Sequence, residues 1–391
     1  MANKIRLHQI VLFLFALIFL FGAGKAWAEG DQDAMDCLNK MHLYDANGQI
    51  VNPGDTVTFG KQYRFGTEPG SGCELTAEYH YKYYNYYYWE FYAVYCNEDG
   101  TDCVKDSRKD LSDDHYEITP DGFEFTAGSS PKDLLPDSPP DDQHTHKWMV
   151  ARTPDFYSSG YYEIRKGDIT LEYVTVNLSQ FKYRYDDSEY RGLVEDTKDC
   201  VNKIHLYDAN GQIVNPGDTV TFGKQYRFGT EPGSGCWLEL IKYYNGVRNW
   251  SDDFWEAYFA YCNEDGTDCV GSYAKGTRKK LTNHYLNNID SGGTFTAGDS
   301  PNDLLSDTPP DDQHRYKWLL IRTWEFGNRG SYRAHKGDVT VNVTVDFTKF
   351  GYRLDDSEYR GLVEDAKDCV NKIHLYDANG QIVNPGDTVT F

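Results

Sequence analysis

The segment from Asp36 to Cys73 returns as Asp199 to Cys236, differing only at Leu38/Val201 and Met41/Ile204, and its opening returns again, unchanged from the second copy, as Asp368 to Phe391. A stretch reused almost letter for letter must find the same neighbours at each use, so the chain reads as one folding unit duplicated along the polypeptide. The expected layout is a signal peptide over residues 1–28, one repeat over 29–198, a second over 199–367, and the truncated start of a third over 368–391. A full repeat of this length can bury roughly 70% of its surface around its own core. The third copy, with a pair of expected strands and a lone Cys369, is too short to close one.

The cysteines keep the same ruler: Cys37, Cys73, Cys96 and Cys103 match Cys200, Cys236, Cys262 and Cys269. In an exported chain this means two disulfides per repeat, and spacing alone leaves the pairing open. Cys96 and Cys103 flank Asn97-Glu98-Asp99-Gly100-Thr101-Asp102, whose Asp-Gly is a hairpin turn signal. The expected bridges are therefore Cys37–Cys73 and Cys96–Cys103, repeated as Cys200–Cys236 and Cys262–Cys269. No Cys-x-x-Cys spacing occurs, which argues against zinc.

Export is written in the first residues, where Lys4 and Arg6 precede an apolar run from Ile10 to Phe21 and Ala26-Trp27-Ala28 offers a cleavage site. No second apolar run of about 18 residues follows, so no transmembrane segment is expected in the mature chain. Removing the leader takes the formal net charge from −22 to −25. So acidic a surface repels nucleic acid and attracts cations, chiefly Ca²⁺ outside a cell. The expected location is extracellular or at a cell surface, with nucleic acid excluded as a partner.

Tyr at 32 positions and Phe at 20, against 4 Met, describe strand-rich material. Asn47-Gly48 lies between Tyr44 and Ile50 as a hairpin signal, Pro53-Gly54-Asp55 turns the chain again, and Thr56-Val57-Thr58-Phe59 alternates like a half-buried strand. Through this turn chemistry the stretch resembles the start of bacterial immunoglobulin-like repeats in surface adhesins. Late in the second copy Val339, Val341, Val343, Val345 and Phe347 point one way and Thr340, Asn342, Thr344 and Asp346 the other. The first copy has one residue more there, between Leu171 and Val174, which predicts a β-bulge near Glu172-Tyr173. Ser130-Pro131 and Ser300-Pro301 announce a short helix of about a turn or two. The fold class expected is all-β: tandem β-sandwich domains, immunoglobulin-like or jelly-roll-like, disulfide-stapled, with roughly eight to ten strands each.

Chemistry is sparse. The aromatic tract Tyr79–Trp89 differs in length and type from its counterpart Ile241–Trp250, as an exposed loop or hairpin tip would. Tyr83, Tyr84, Tyr86 and Tyr88, with Tyr243, Tyr244 and Trp250, are candidate ligand-binding side chains, because exposed flat aromatics stack on sugar rings or anchor partner proteins. The same tyrosines also suit ordinary cross-strand pairs. Trp89 and Trp255 are expected to pack in the core against a disulfide. Asp137, Asp141 and Asp142, matched by Asp307, Asp311 and Asp312, are candidate Ca²⁺ ligands, the alternative being a solvated acidic turn. The junctions Asp186-Asp187-Ser188-Glu189 and Asp355-Asp356-Ser357-Glu358 read as polar linkers or as an interdomain Ca²⁺ site.

No nucleophile elbow, His-Glu-x-x-His, phosphate loop or dinucleotide fingerprint occurs, so no enzyme is expected. A glycosidase-type carboxylate pair is the enzymatic alternative. The function expected is a repetitive structural or adhesion protein, secreted or at the cell surface, whose partner is a surface glycan, a protein or further copies of itself. The second reading is a carbohydrate-binding protein with one aromatic platform per repeat.

Overall fold

A computed structural model of the chain describes residues 29–77, 79–80, 85–86, 88–113, 115–153, 156–240, 255–270, 277–281, 288–289, 293–323 and 328–389. The expected signal peptide lies outside them. Contacts divide the chain into two compact units, one up to Arg191 and one from Gly192 onward.

In the first unit the Asn-Gly hairpin forms as its sequence demands. Asp45 Oδ1 accepts from the amides of Asn47 and Gln49, each at 2.9 Å. Gly48 takes φ 76°, a conformation that costs a residue without Cβ nothing. The result pairs Tyr44 with Ile50 and Leu43 with Val51. Met41–Asp45 then sits between this short strand and Gln62–Thr67, with Phe123–Thr126 beyond it. A second sheet runs Glu117–Ile118, Cys73–Ala77, Ser159–Lys166, Ile169–Asn177. The third has five strands, ordered Thr56–Thr58, Lys182–Asp186, His146–Arg152, Glu90–Cys96, Lys109–Asp110, with the first pair parallel. The second unit repeats these three sheets. The all-β expectation therefore holds; among the described residues each unit has three sheets of four or five strands, with a further two-stranded hairpin, Tyr79–His80 with Asn85–Tyr86 in the first and Leu375–Tyr376 with Ile382–Val383 in the second.

The core explains the aromatic composition. Phe65 from the first sheet lies 4.7 Å from the Trp89 ring, 5.2 Å from Phe91 and 4.9 Å from Phe181, mostly edge to face, the arrangement that ring quadrupoles favour. Phe228, Trp255 and Phe350 repeat the packing at 4.8 and 4.9 Å. Trp89 and Trp255 are thus core residues as expected. The indole that clusters with the Cys96–Cys103 bridge, however, is Trp148, as Trp318 does with Cys262–Cys269.

All four expected disulfides are present. At the Cys96–Cys103 hairpin, Asn97 Oδ1 accepts from the amides of Thr101 and Asp102 at 3.0 and 3.2 Å, and Trp148 Nε1 donates to the Asn97 carbonyl at 3.2 Å. Gly100 is required there, since a Cβ would stand 2.9 Å from the Trp148 ring. The bulge also falls where one extra residue predicts it: Tyr162 pairs with Val174 but Ile164 with Leu171, and Tyr173 takes φ 58°. In the second unit Arg329–Lys336 and Val339–Asp346 pair without interruption.

Two expectations change in detail. The Ser130-Pro131 helix is a single 3-10 turn, Pro131–Asp133, held by Asp133 Oδ2 accepting from the amides of Ser129 and Ser130 at 2.9 Å. The acidic junctions are not linkers but helices, Ser188–Lys198 and Ser357–Asp368. Asp187 is buried, paired with Lys147 and with Arg191 Nη2 at 2.9 Å. Asp356 likewise meets Lys317 at 2.7 and 2.8 Å and Arg360 at 2.7 Å. A carboxylate out of water is tolerated only with such partners.

The Cys37–Cys73 bridge closes a separation of 36 residues and Cys96–Cys103 one of 7. Chain-entropy bookkeeping assigns about 4 kcal/mol to the longer loop and about 2 kcal/mol to the shorter. Paired Cys→Ser substitution at Cys37 and Cys73 is expected to lower the denaturant midpoint of the first unit more than the same change at Cys96 and Cys103, read by equilibrium unfolding.

Candidate functional site

Residues flanking the aromatic tip pair as a hairpin, Tyr79 opposite Tyr86 and His80 opposite Asn85. Tyr83, Tyr84, Tyr243, Tyr244 and Trp250 lie outside the described residues, as does the side chain of Tyr86. Tyr88 is half-buried and its ring meets that of Tyr116 edge to face at 5.5 Å.

The acidic loops are engaged by basic side chains. Asp141 accepts from the amides of Gln143 and His144 at 2.9 Å and from His144 Nδ1 at 2.8 Å. The far ring nitrogen of His144 faces Asp102 of the disulfide hairpin at 3.3 Å. The second unit repeats the clamp with Asp311 at 2.8 Å and Asp268 at 3.5 Å from His314. Asp137 pairs with Arg191, Asp307 with Arg360 and Asp312 with Arg315, while Asp142 is exposed. Among the described residues no group of three or more His, Cys, Asp or Glu side chains converges to hold a metal. The arrangement ties the proline-rich loop to the disulfide hairpin.

Sequence reasoning missed a different surface. In Cys236–Leu240, Leu238 points inward, so the strand's alternation turns Trp237 and Glu239 outward. Trp237 is exposed and stacks flat on His335, directly opposite on the next strand, with ring centroids 3.7 Å apart and planes 3° apart. Around them stand Glu239, 3.5 Å from His335 Nε2, Arg333, 3.8 Å from Glu239, and Thr340, 3.0 Å from His335 Nδ1. A flat ring pair rimmed by a carboxylate, a guanidinium and a hydroxyl can stack on a sugar ring and hydrogen-bond its hydroxyls. The corresponding face of the first unit pairs Glu74 with Arg165 and Thr76 with Glu163, with Tyr161 and Tyr173 exposed nearby. The signal was an aromatic residue at a polar phase of a strand.

Among the described residues Glu256 is the one carboxyl that burial pushes above its usual range, and it is buried beside Lys280. Among the described residues no helix is long and apolar enough to cross a membrane. Comparison with known protein families and with curated sequences found no match. Fold and bonding thus define a disulfide-rich, all-β protein of repeated units.

The histidine clamps make stability depend on pH. Asp141 holds His144 above its ordinary value and Asp311 does the same for His314, while each histidine holds its aspartate below the carboxylate range. A raised folded pKa adds stability that is complete below about pH 6.5 and is lost as pH rises through the raised value. The aspartate contribution is lost in acid. Thermal melts of the His144→Gln/His314→Gln variant are expected to lose less stability than the parent as pH is raised above about 6.5.

Proposed function

We propose that this chain is a secreted or cell-surface structural and adhesive protein, built from tandem disulfide-closed β-units and without catalytic activity. The observation that carries the reading is the repetition of the bracing itself. Both units have the same two disulfides, the same histidine clamp and the same buried aspartate held by a lysine and an arginine. Duplicated bracing suits a stalk or fibre that must resist unfolding outside the cell. Single-molecule extension of the mature chain is expected to give two similar unfolding events. Reductant should lengthen each by about 150 Å, the chain length locked behind the bridges. One merged event, or none altered by reductant, would refute the reading.

A second reading, sugar binding, is favoured by the exposed Trp237–His335 stack. A glycan array probed with the mature chain, with and without Ca²⁺, is expected to yield ligands whose binding falls at least about tenfold on Trp237→Ala, in keeping with the loss of one stacking aromatic. Silence on the array, or binding indifferent to that change, would remove it.

A further inference from the structure

The clamps use one histidine that recurs in both units; another, His42 in the first and His205 in the second, has no part in them. In the second unit His205 borders a cleft of about 260 Å³. Its walls are the 3-10 turn Asp199–Lys203, the hairpin of Ile204–Tyr207 with Ile213–Val214 and the turn after it, and the stretch where the 3-10 turn Phe347–Lys349 runs into Gly351–Asp355. Each wall is tied down. The first is held by the Cys200–Cys236 bridge and by the Glu231 amide, which donates to the Lys203 carbonyl at 2.8 Å. The turn after the hairpin is held by the Gly217 amide, which donates to the Gly351 carbonyl at 2.8 Å, and by the Asp218 carbonyl, which accepts from the Arg353 amide at 2.9 Å. Asp346 caps the third, accepting from the Thr348 amide at 3.0 Å, and the Phe350 carbonyl accepts from Ile321 at 2.9 Å. A cleft so braced is shaped before any ligand arrives, which removes much of the ordering cost of binding.

The lining divides by chemistry. Ile204, Leu206, Phe350 and Tyr352 are buried and give an apolar floor. Asn202, His205, Asn215 and Lys349 supply the polar groups. Asn202 donates to Asp199 at 2.9 Å and Asn215 to Asp218 at 3.2 Å, which fixes both amides and engages the two carboxylates locally. Burial holds His205 below its ordinary value, so at neutral pH its ring is uncharged, with one nitrogen to donate and one to accept. Lys349 is exposed and forms no ion pair among the described residues. In a chain with a formal net charge of −22, it is a cation placed beside an apolar floor and three hydrogen-bonding side chains.

We propose that this cleft binds a small organic acid: one ring bearing hydroxyls and a single carboxylate, of the size of a hexuronate. The ring rests on the apolar floor, its hydroxyls meet Asn202, Asn215 and His205, and its carboxylate pairs with Lys349. A volume just under the roughly 300 Å³ at which small-molecule sites begin limits the occupant to one ring. The first unit supplies an internal comparison. Asn39, His42 and Asn52 stand there for Asn202, His205 and Asn215, but Gln180 stands for Lys349. The hydrogen-bonding groups are thus common to both units and the cation belongs to the second alone, so one acid is bound per chain. None of the residues around the Trp237–His335 stack lines the cleft, and the inference depends on neither reading of the protein's function.

The test is calorimetric titration of the mature chain with D-glucuronate, with D-glucose as the same ring without the charge and inorganic phosphate as charge without the ring. Glucuronate is expected to bind saturably, one per chain, and at least about tenfold more tightly than either of the others. Lys349→Gln, which installs the residue the first unit carries there, should bring glucuronate down to the level of glucose at an unchanged thermal midpoint, and Lys349→Arg, which keeps the charge, should retain binding. Trp237→Ala should leave the titration as it is, which separates this cleft from the ring stack. Absence of saturable binding, two ligands per chain, glucose or phosphate bound as tightly as glucuronate, indifference to Lys349→Gln, or loss on Trp237→Ala would each overturn the proposal.

Discussion

The strand Glu90–Cys96 is buried at every residue, and so is Trp255–Cys262. A strand without a wet face offers none of its backbone to solvent, so each amide and carbonyl needs a partner within the protein. One edge is met by His146–Arg152 along the strand's whole length. The other is assembled from pieces: Lys109–Asp110 pairs with its middle, Ser107 and Ser112 hydroxyls accept from the Tyr95 and Phe91 amides at 3.1 and 2.8 Å, and the Val104 amide donates to the Tyr95 carbonyl at 2.9 Å. The Cys96–Cys103 bridge returns the chain to that edge, and the His144 clamp fastens the next loop to the bridge's hairpin. Much of the unit's irregular structure serves to seal this one strand.

A chain so acidic must also decide which carboxylates leave water. Asp187 and Asp356 do, each between a lysine from the five-stranded sheet and an arginine one helical turn on. Glu90 and Glu256 are buried as well. Many other carboxylates sit in surface turns where a side-chain oxygen accepts from the amides two to four residues ahead, as Asp45, Asp99 and Asp141 do. These local bonds hold the carboxyls of all three below their ordinary range, Asp141 chiefly through His144. They keep charge outside while fixing the loops that carry it.

The two units share a frame and differ on a face. Turns, bridges, clamps and the ion pairs of the buried aspartates match between the units, whereas Glu74 and Arg165 occupy the positions that Trp237 and His335 hold in the second unit, and Asp110 the position of Lys280. The edge strands differ too, one bulged at Glu172-Tyr173 and one regular. Change reaches the core as well, where buried Phe91, Ala93 and Val94 give way to buried Ala257, Phe259 and Ala260, large and small side chains trading places along one strand.

Local rules made much of this legible. The Asn-Gly and Asp-Gly turns, the bridges across them, the alternation of Val339–Val345 and the bulge from one extra residue all follow from interactions between near neighbours or from comparing the copies with each other. The helices at the junctions were not read, although Asp186 and Ser188 give a capping signal, because a short helix with Gly192 inside and few apolar residues draws its stability from packing rather than propensity. The Trp237–His335 pair was hidden for a related reason: its members are nearly a hundred residues apart, and only strand register sets them side by side. Sequence by itself fixed the repeating unit, its turns and its bridges, because those depend on residues close along the chain or copied along it. Tertiary structure alone decided which carboxylates are buried and which aromatic rings meet, because those depend on which strands lie next to one another.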